Sequence, residues 1–111
     1  SKRITVVFQP HLYSRTKFLL NEFAQAFTDA DNVIITPIYA AREEPDQEIS
    51  GEILANAIRK VRDKVVYMNE FEEITSYVRK TAGKNDVIIT MGAGDIFKVS
   101  DALLRIKETP C

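Results

Sequence analysis

A chain of 111 residues has room for one compact domain and not for two, so residues 1–111 are read as a single unit. With 45% hydrophobic and 28% charged residues, it has the composition of a globular domain that buries a core without metal or disulfide staples. The net charge is −1 from 15 basic and 16 acidic residues, and the basic ones are scattered rather than striped, which argues against nucleic acid as a partner.

The first predicted element is a strand, Ile4 to Phe8, a run of β-branched Ile, Thr and Val closed by Phe8. Ser1 runs almost directly into it, with no leader peptide visible, as expected for a piece of a longer protein. After Gln9-Pro10-His11-Leu12-Tyr13-Ser14-Arg15-Thr16 comes a helical period, with Leu20, Phe23, Ala24 and Phe27 at i, i+3, i+4 and i+7. Ser14 stands where an N-cap is expected. Val33 to Ile35 is the second strand, and Pro37 to Ile49 is the longest connection. Ser50 then caps a helix carrying Leu54, Ala57, Ile58 and Val61. Val65 to Met68 is the third strand, after which Asn69 and Glu72 resemble a capping box for a helix with Phe71, Ile74 and Val78. The fourth strand, Val87 to Met91, leads through Gly92-Ala93-Gly94 and a capping Asp95 to a helix with Ile96, Val99, Leu103 and Ile106.

The four strand segments are continuously apolar rather than alternating, the pattern of strands covered on both faces. Four β–α repeats predict a doubly wound α/β fold: a mainly parallel sheet, helices on both faces and right-handed crossovers. The apolar runs are far too short to span a membrane. The single cysteine, Cys111, allows no internal bridge and fits a reducing compartment.

In open α/β sheets ligands bind beyond the carboxyl ends of the strands. Three segments share that edge here: Gln9 to Arg15, Pro37 to Ile49, and Gly92 to Gly94. The first opens a helix whose N-terminal N–H groups favour an anion, and Arg15 adds a planar fork suited to carboxylate or phosphate. His11 is the only histidine, the side-chain type best suited to switch charge near neutral pH. From spacing alone the plainer reading is that Arg15 pairs with a surface acid and His11 packs in a turn. Gly92-Ala93-Gly94 begins a dinucleotide fingerprint, but Phe97 replaces its third glycine, so a structural turn is the better reading. Tyr39, Arg42, Glu43 and Glu44 fall in a charged loop of the kind usually solvated. There is no Walker lysine loop, and one His with one terminal Cys rules out a conventional zinc site.

Taken in order, FQPHLYSRT, ITPIYAAREEP, ISG and MGAGDI closely resemble the C-terminal domain of the Mur ligase family, in its alanine-adding branch. The likeness runs from Val6 to about Leu104, and FQPH-x-Y-S-R-T at a strand–helix junction is its most specific part. The resemblance implies a cytoplasmic bacterial enzyme of peptidoglycan synthesis that joins L-alanine to UDP-N-acetylmuramate. ATP and magnesium would be bound mainly by the central domain, and the UDP portion by the N-terminal domain. The C-terminal domain would close over the site and present the amino acid, while being inactive alone. Carried over residue by residue, His11, Tyr13, Ser14 and Arg15 would face the amino-acid side of the cleft, with Tyr39 and Arg42 near it. Gly92, Ala93 and Gly94 would lie at the cleft edge toward the nucleotide.

Two departures stand out. Leu12 occupies a position where many family members have Arg. The family's first strand–helix unit, with its Asp-Asp-Tyr-x-His-His-Pro type motif, is missing from this chain, which implies an exposed sheet edge and self-association through it. A different class of reading is a free-standing α/β module that binds a small carboxylate or phosphate without chemistry. A phosphoacceptor receiver is excluded, because Phe8-Gln9-Pro10 and Val66-Tyr67-Met68 lack the acids it needs.

Overall fold

The structure, a computed structural model, describes residues 3–108, and side chains as far as Leu104. Expectations attached to Ser1, Cys111 and the Ile106 side chain lie outside the described residues. The elements run β1 (Ile4–Phe8), α1 (Tyr13–Phe18), α2 (Leu20–Ala24), β2 (Asn32–Ile35), α3 (Gly51–Arg59), β3 (Val65–Tyr67), α4 (Phe71–Thr81), β4 (Val87–Met91) and α5 (Phe97–Glu108). All four strands pair in parallel, in the order β3-β2-β1-β4. The expected doubly wound α/β fold is the one observed.

Because successive strand residues point to opposite faces, the sheet divides the core in two. On one face Val6, Phe8, Val33, Ile35 and Val65 meet Ala24 and Phe27 together with Leu54, Ala55 and Ile58 of α3. On the other, Val7 and Ile34 meet Ile74 and Val78 of α4 and Ile96 and Val99. Each fully buried Ile or Leu contributes about 1.5–3 kcal/mol, so Ile34, Leu54, Ile58 and Ile74, all at 0% exposure, anchor the two layers.

The helical period after β1 is not one helix. It breaks at Leu19 into α1 and α2. Beyond Ala24 the chain continues in tighter i→i−3 turns, with Gln25 N–H on Glu22 O (3.2 Å) and Ala26 N–H on Phe23 O (3.1 Å). The tightening lets Phe23 and Phe27 both pack on Phe8, each with ring centroids 5.3 Å apart.

Of the expected caps, Ser50 is observed: its hydroxyl accepts from Ile53 N–H at 3.0 Å. The other three are not. Ser14 is the second residue of α1, whose N-cap is Leu12 with no side-chain cap bond. α4 has Glu70 as N-cap, so Asn69 lies one residue too early and Glu72 one position short of N3 for a capping box. α5 begins at Phe97, two residues beyond Asp95, whose carboxylate is engaged elsewhere.

β4 is an edge strand with unlike faces. Ile88 packs into the second core layer. On the opposite face Val87, Ile89 and Met91 are 37%, 40% and 42% exposed. Ile89 and Met91 border an apolar groove of about 270 Å³ floored by Phe8, Phe23 and Phe27.

Candidate functional site

The order β3-β2-β1-β4 makes β1 the point where the winding reverses, with β2 on one side and β4 on the other. A crevice opens at such a switch point, beyond the carboxyl ends of the two strands. The three segments expected on that edge do converge there.

Backbone pairing joins the first two. Tyr39 N–H donates to Pro10 O at 2.8 Å and Leu12 N–H donates to Tyr39 O at 2.9 Å, forming an isolated parallel bridge between His11 and Tyr39. The His11 and Tyr39 rings stack at 5.9 Å with 18° between their planes. Packing in a turn, the plainer reading for His11, is therefore what the geometry shows, but the turn stands at the carboxyl edge.

Gln9 ties the third segment to the first. Its backbone N–H donates to Met91 O at 2.9 Å. Its side-chain amide donates through Nε2 to Asp95 Oδ1 at 2.7 Å and accepts through Oε1 from Ile96 N–H at 3.2 Å. At 4% exposure this is a buried polar side chain with both ends satisfied. Gly94 is small because of what lies beside it: an added Cβ would fall 2.4 Å from Tyr39 Cγ and 2.8 Å from Gln9 Oε1. The Gly92-Ala93-Gly94 turn thus packs against protein at Gly94, where a phosphate cradle would be open. Between these loops and the start of α4 lies a cleft of about 400 Å³, lined by Gln9, Tyr39, Asn69, Glu70, Phe71 and Asp95 among others.

The start of α1 is not free for an outside anion. Glu43, from the long loop after β2, accepts through Oε1 from Tyr13 N–H (2.5 Å) and Ser14 N–H (3.2 Å), and through Oε2 from the Ser14 hydroxyl. The Ser14 hydroxyl, followed by the Ser14 and Tyr13 amides, holds this carboxyl below its ordinary range against the opposing effect of burial. Lys17 reinforces the same junction through Glu48 and, at 3.4 Å, Asp46. Leu12, just before the clamp, has φ 68° and ψ 135°. A residue with a side chain held in such a region costs about 1–3 kcal/mol, so the contacts on either side must hold it there.

Arg15 is exposed and, among the described residues, makes no ion pair, contrary to the surface pairing expected from spacing alone. Tyr13 and Ser14 contribute backbone amides to the Glu43 clamp, and Arg42 is exposed in the loop. No group of three or more His, Cys, Asp or Glu side chains among the described residues is arranged to hold a metal ion. Sequence reasoning missed Gln9 and Glu43 as organisers of the site. Gln9 had a weak signal, a polar residue directly after an apolar strand. Glu43 had none, since it acts on residues 29 and 30 positions earlier.

A parallel sheet with its switch point between β1 and β4, and three loops gathered over that point, defines a doubly wound α/β domain with a crevice where such sheets take their ligands. The family described as "Mur ligase, glutamate ligase domain" matches residues 1–94. UDP-N-acetylmuramate--L-alanine ligase of Acetivibrio thermocellus is 53% identical over 96% of this chain, and that of Lachnospira eligens 50% over 93%. The chain spans only 23% and 22% of the length of these two relatives. The crystal structure of UDP-N-acetylmuramate-alanine ligase from Thermotoga maritima shares the fold, with a TM-score of 0.73 at 22% identity, covering 97% of this chain and 21% of that one. The chain belongs to the Mur ligase family, and it matches the C-terminal domain of its members.

Proposed function

We propose that this chain is the amino-acid-presenting domain of an ATP-dependent ligase that joins L-alanine to UDP-N-acetylmuramate in the bacterial cytoplasm. The observation that carries the reading is the 53% identity, over 96% of the chain, to a ligase of that name. The cleft at the switch point supports it. In this reading ATP phosphorylates the lactyl carboxylate of UDP-N-acetylmuramate, leaving ADP, and the amine of alanine then attacks the acyl phosphate, forming the amide and expelling inorganic phosphate with loss of a proton from nitrogen. Such a reaction depends on holding the amine in line, which effective molarity makes worth many powers of ten.

The chain's share of the work is to orient the amino acid. Arg15, with no ion pair among the described residues, offers a guanidinium for the alanine carboxylate, and Tyr39, on which His11 stacks, lines the cleft. In this reading nucleotide and magnesium are held by the domains outside this chain, and the Gly94 turn packs on Tyr39. Phosphoryl transfer needs positioned cations around the phosphates, and this chain has no Walker lysine loop.

The test is turnover. The full-length enzyme is expected to release ADP only when alanine and UDP-N-acetylmuramate are both present, and this chain alone to release none. Calorimetry should detect no tight binding of magnesium–ATP to the chain. Micromolar binding there would sink the closing-domain reading and favour an independent nucleotide module.

A further inference from the structure

We propose that Glu43 is a positioning residue for the amino-acid step: by clamping the start of α1, it holds the loop after β1 so that His11 stacks on Tyr39 at the cleft rim. Its kinetic consequence rests on the ligase reading above; its structural consequence does not.

The first support is the clamp itself. One carboxylate takes the amides of Tyr13 and Ser14 and the Ser14 hydroxyl, three donors on two consecutive residues. An ordinary N-cap side chain belongs to the residue at the helix start and satisfies one or two amides. Glu43 instead reaches in from a loop that follows another strand, so it fixes one loop to the other. A second support is the backbone between the clamp and the ring pair. Leu12 at φ 68° is held on one side by its N–H on Tyr39 O (2.9 Å) and on the other by Glu43 on the next two amides. Residues rest in such conformations where the surroundings overdetermine them.

Third, the loop that delivers Glu43 is itself braced. Glu43 N–H donates to Ala40 O at 2.9 Å, and Ala41 takes φ 54° to make that turn. Tyr39 lies directly before this turn and Glu43 directly after it. A tug on the Glu43 carboxylate therefore reaches Tyr39 through a short, bonded path. Glu43 also occupies the backbone donors at the start of α1, which leaves the Arg15 guanidinium as the cationic group there for a ligand carboxylate.

A simple cap and a positioning residue predict different outcomes. Losing a cap lowers stability and leaves the substrate dependences alone. In the full-length ligase, Glu43→Ala is expected to raise KM for alanine about tenfold, the size of one lost charged hydrogen bond, with KM for ATP unchanged. Glu43→Gln should recover most of the loss, because its amide oxygen still accepts from the backbone N–H groups. If Glu43→Ala does not fold, Glu43→Asp replaces it, since the shorter side chain cannot span both residues; the same rise is expected. In the 111-residue chain, NMR contacts between the His11 and Tyr39 rings should weaken in the Ala or Asp variant and persist in the Gln variant. An unchanged alanine KM in a folded Ala or Asp variant overturns the proposal, and so does persistence of the ring contacts there. A wild-type enzyme that does not use alanine would remove the ligase reading alone, and the NMR comparison would still decide the role of Glu43.

Discussion

The carboxyl-edge cleft and the open face of β4 are parts of one sheet, yet their side chains are held in opposite ways. Around the cleft, Gln9, Glu43 and Tyr39 each engage a second loop, and Gly94 has no room for a Cβ. On the open face, Val87, Ile89 and Met91 stay 37–42% exposed, and Ile89 and Met91 only border a groove that Phe23 and Phe27 floor. A strand's apolar character thus reports what should cover it, while actual coverage depends on which neighbouring units are present. A parallel sheet normally has both faces covered, and over β4 this chain supplies a helix for one.

The largest contrast is energetic. Ile34→Ala, in a residue at 0% exposure between packed layers, should destabilise the chain by about 2–5 kcal/mol. Ile89→Ala, at 40% exposure, should cost only a fraction of that. Urea denaturation of both variants measures the difference, and equal losses would mean that β4 is covered in solution.

Next comes the cleft. Arg15→Ala in the full-length ligase should weaken alanine use roughly 10- to 100-fold, the loss of a charge-assisted hydrogen bond of about 1.5–3 kcal/mol. Steady-state kinetics with alanine and ATP varied separately would show it. A loss falling mainly on ATP would remove Arg15 from the amino-acid side.

The open face should act in the isolated chain as an association surface, because exposed apolar strand edges pair with other copies. Sedimentation at increasing concentration is expected to show self-association, which Ile89→Lys should abolish with little change in stability. A monomer at millimolar concentration would break this side of the comparison.

Acid supplies the smallest effect. Arg3 and the Gly83 amide hold the Asp86 carboxyl below its ordinary range, as Ser14 does that of Glu43. A carboxyl depressed in the folded state stabilises fully above its unfolded value, and that contribution fades as pH falls through the lower folded value. The Arg3 guanidinium is half exposed and Glu43 is only partly buried, so solvent weakens both pairings and melting temperature should fall only gently below the ordinary carboxylate range. Asp86→Asn should flatten that slope, and an unaltered slope would show that the Arg3 pairing contributes nothing.

Much of this was legible along the chain. The strands coincide almost residue for residue with the β-branched apolar runs, because such runs between helical periods have few other uses. The N-caps were read poorly: Ser50 caps α3, but Ser14, Asn69 and Asp95 do not cap their helices. A cap depends on where the first turn begins to within one residue, and contacts from elsewhere shift that point. At α1 the shifting contact is Glu43, and beside α5 it is Gln9 holding Asp95.

Hydrophobic period and short motifs are local properties of the chain, so the alternation of strands and helices, the parallel sheet and the family are written along it. The placement of β1 between β2 and β4, the stacking of His11 on Tyr39, the hold of Glu43 on the start of α1 and the open face of β4 come instead from packing. These are pairings between residues about 30 to 90 positions apart. Their geometry is set by how whole layers pack, and no local pattern of residues encodes it.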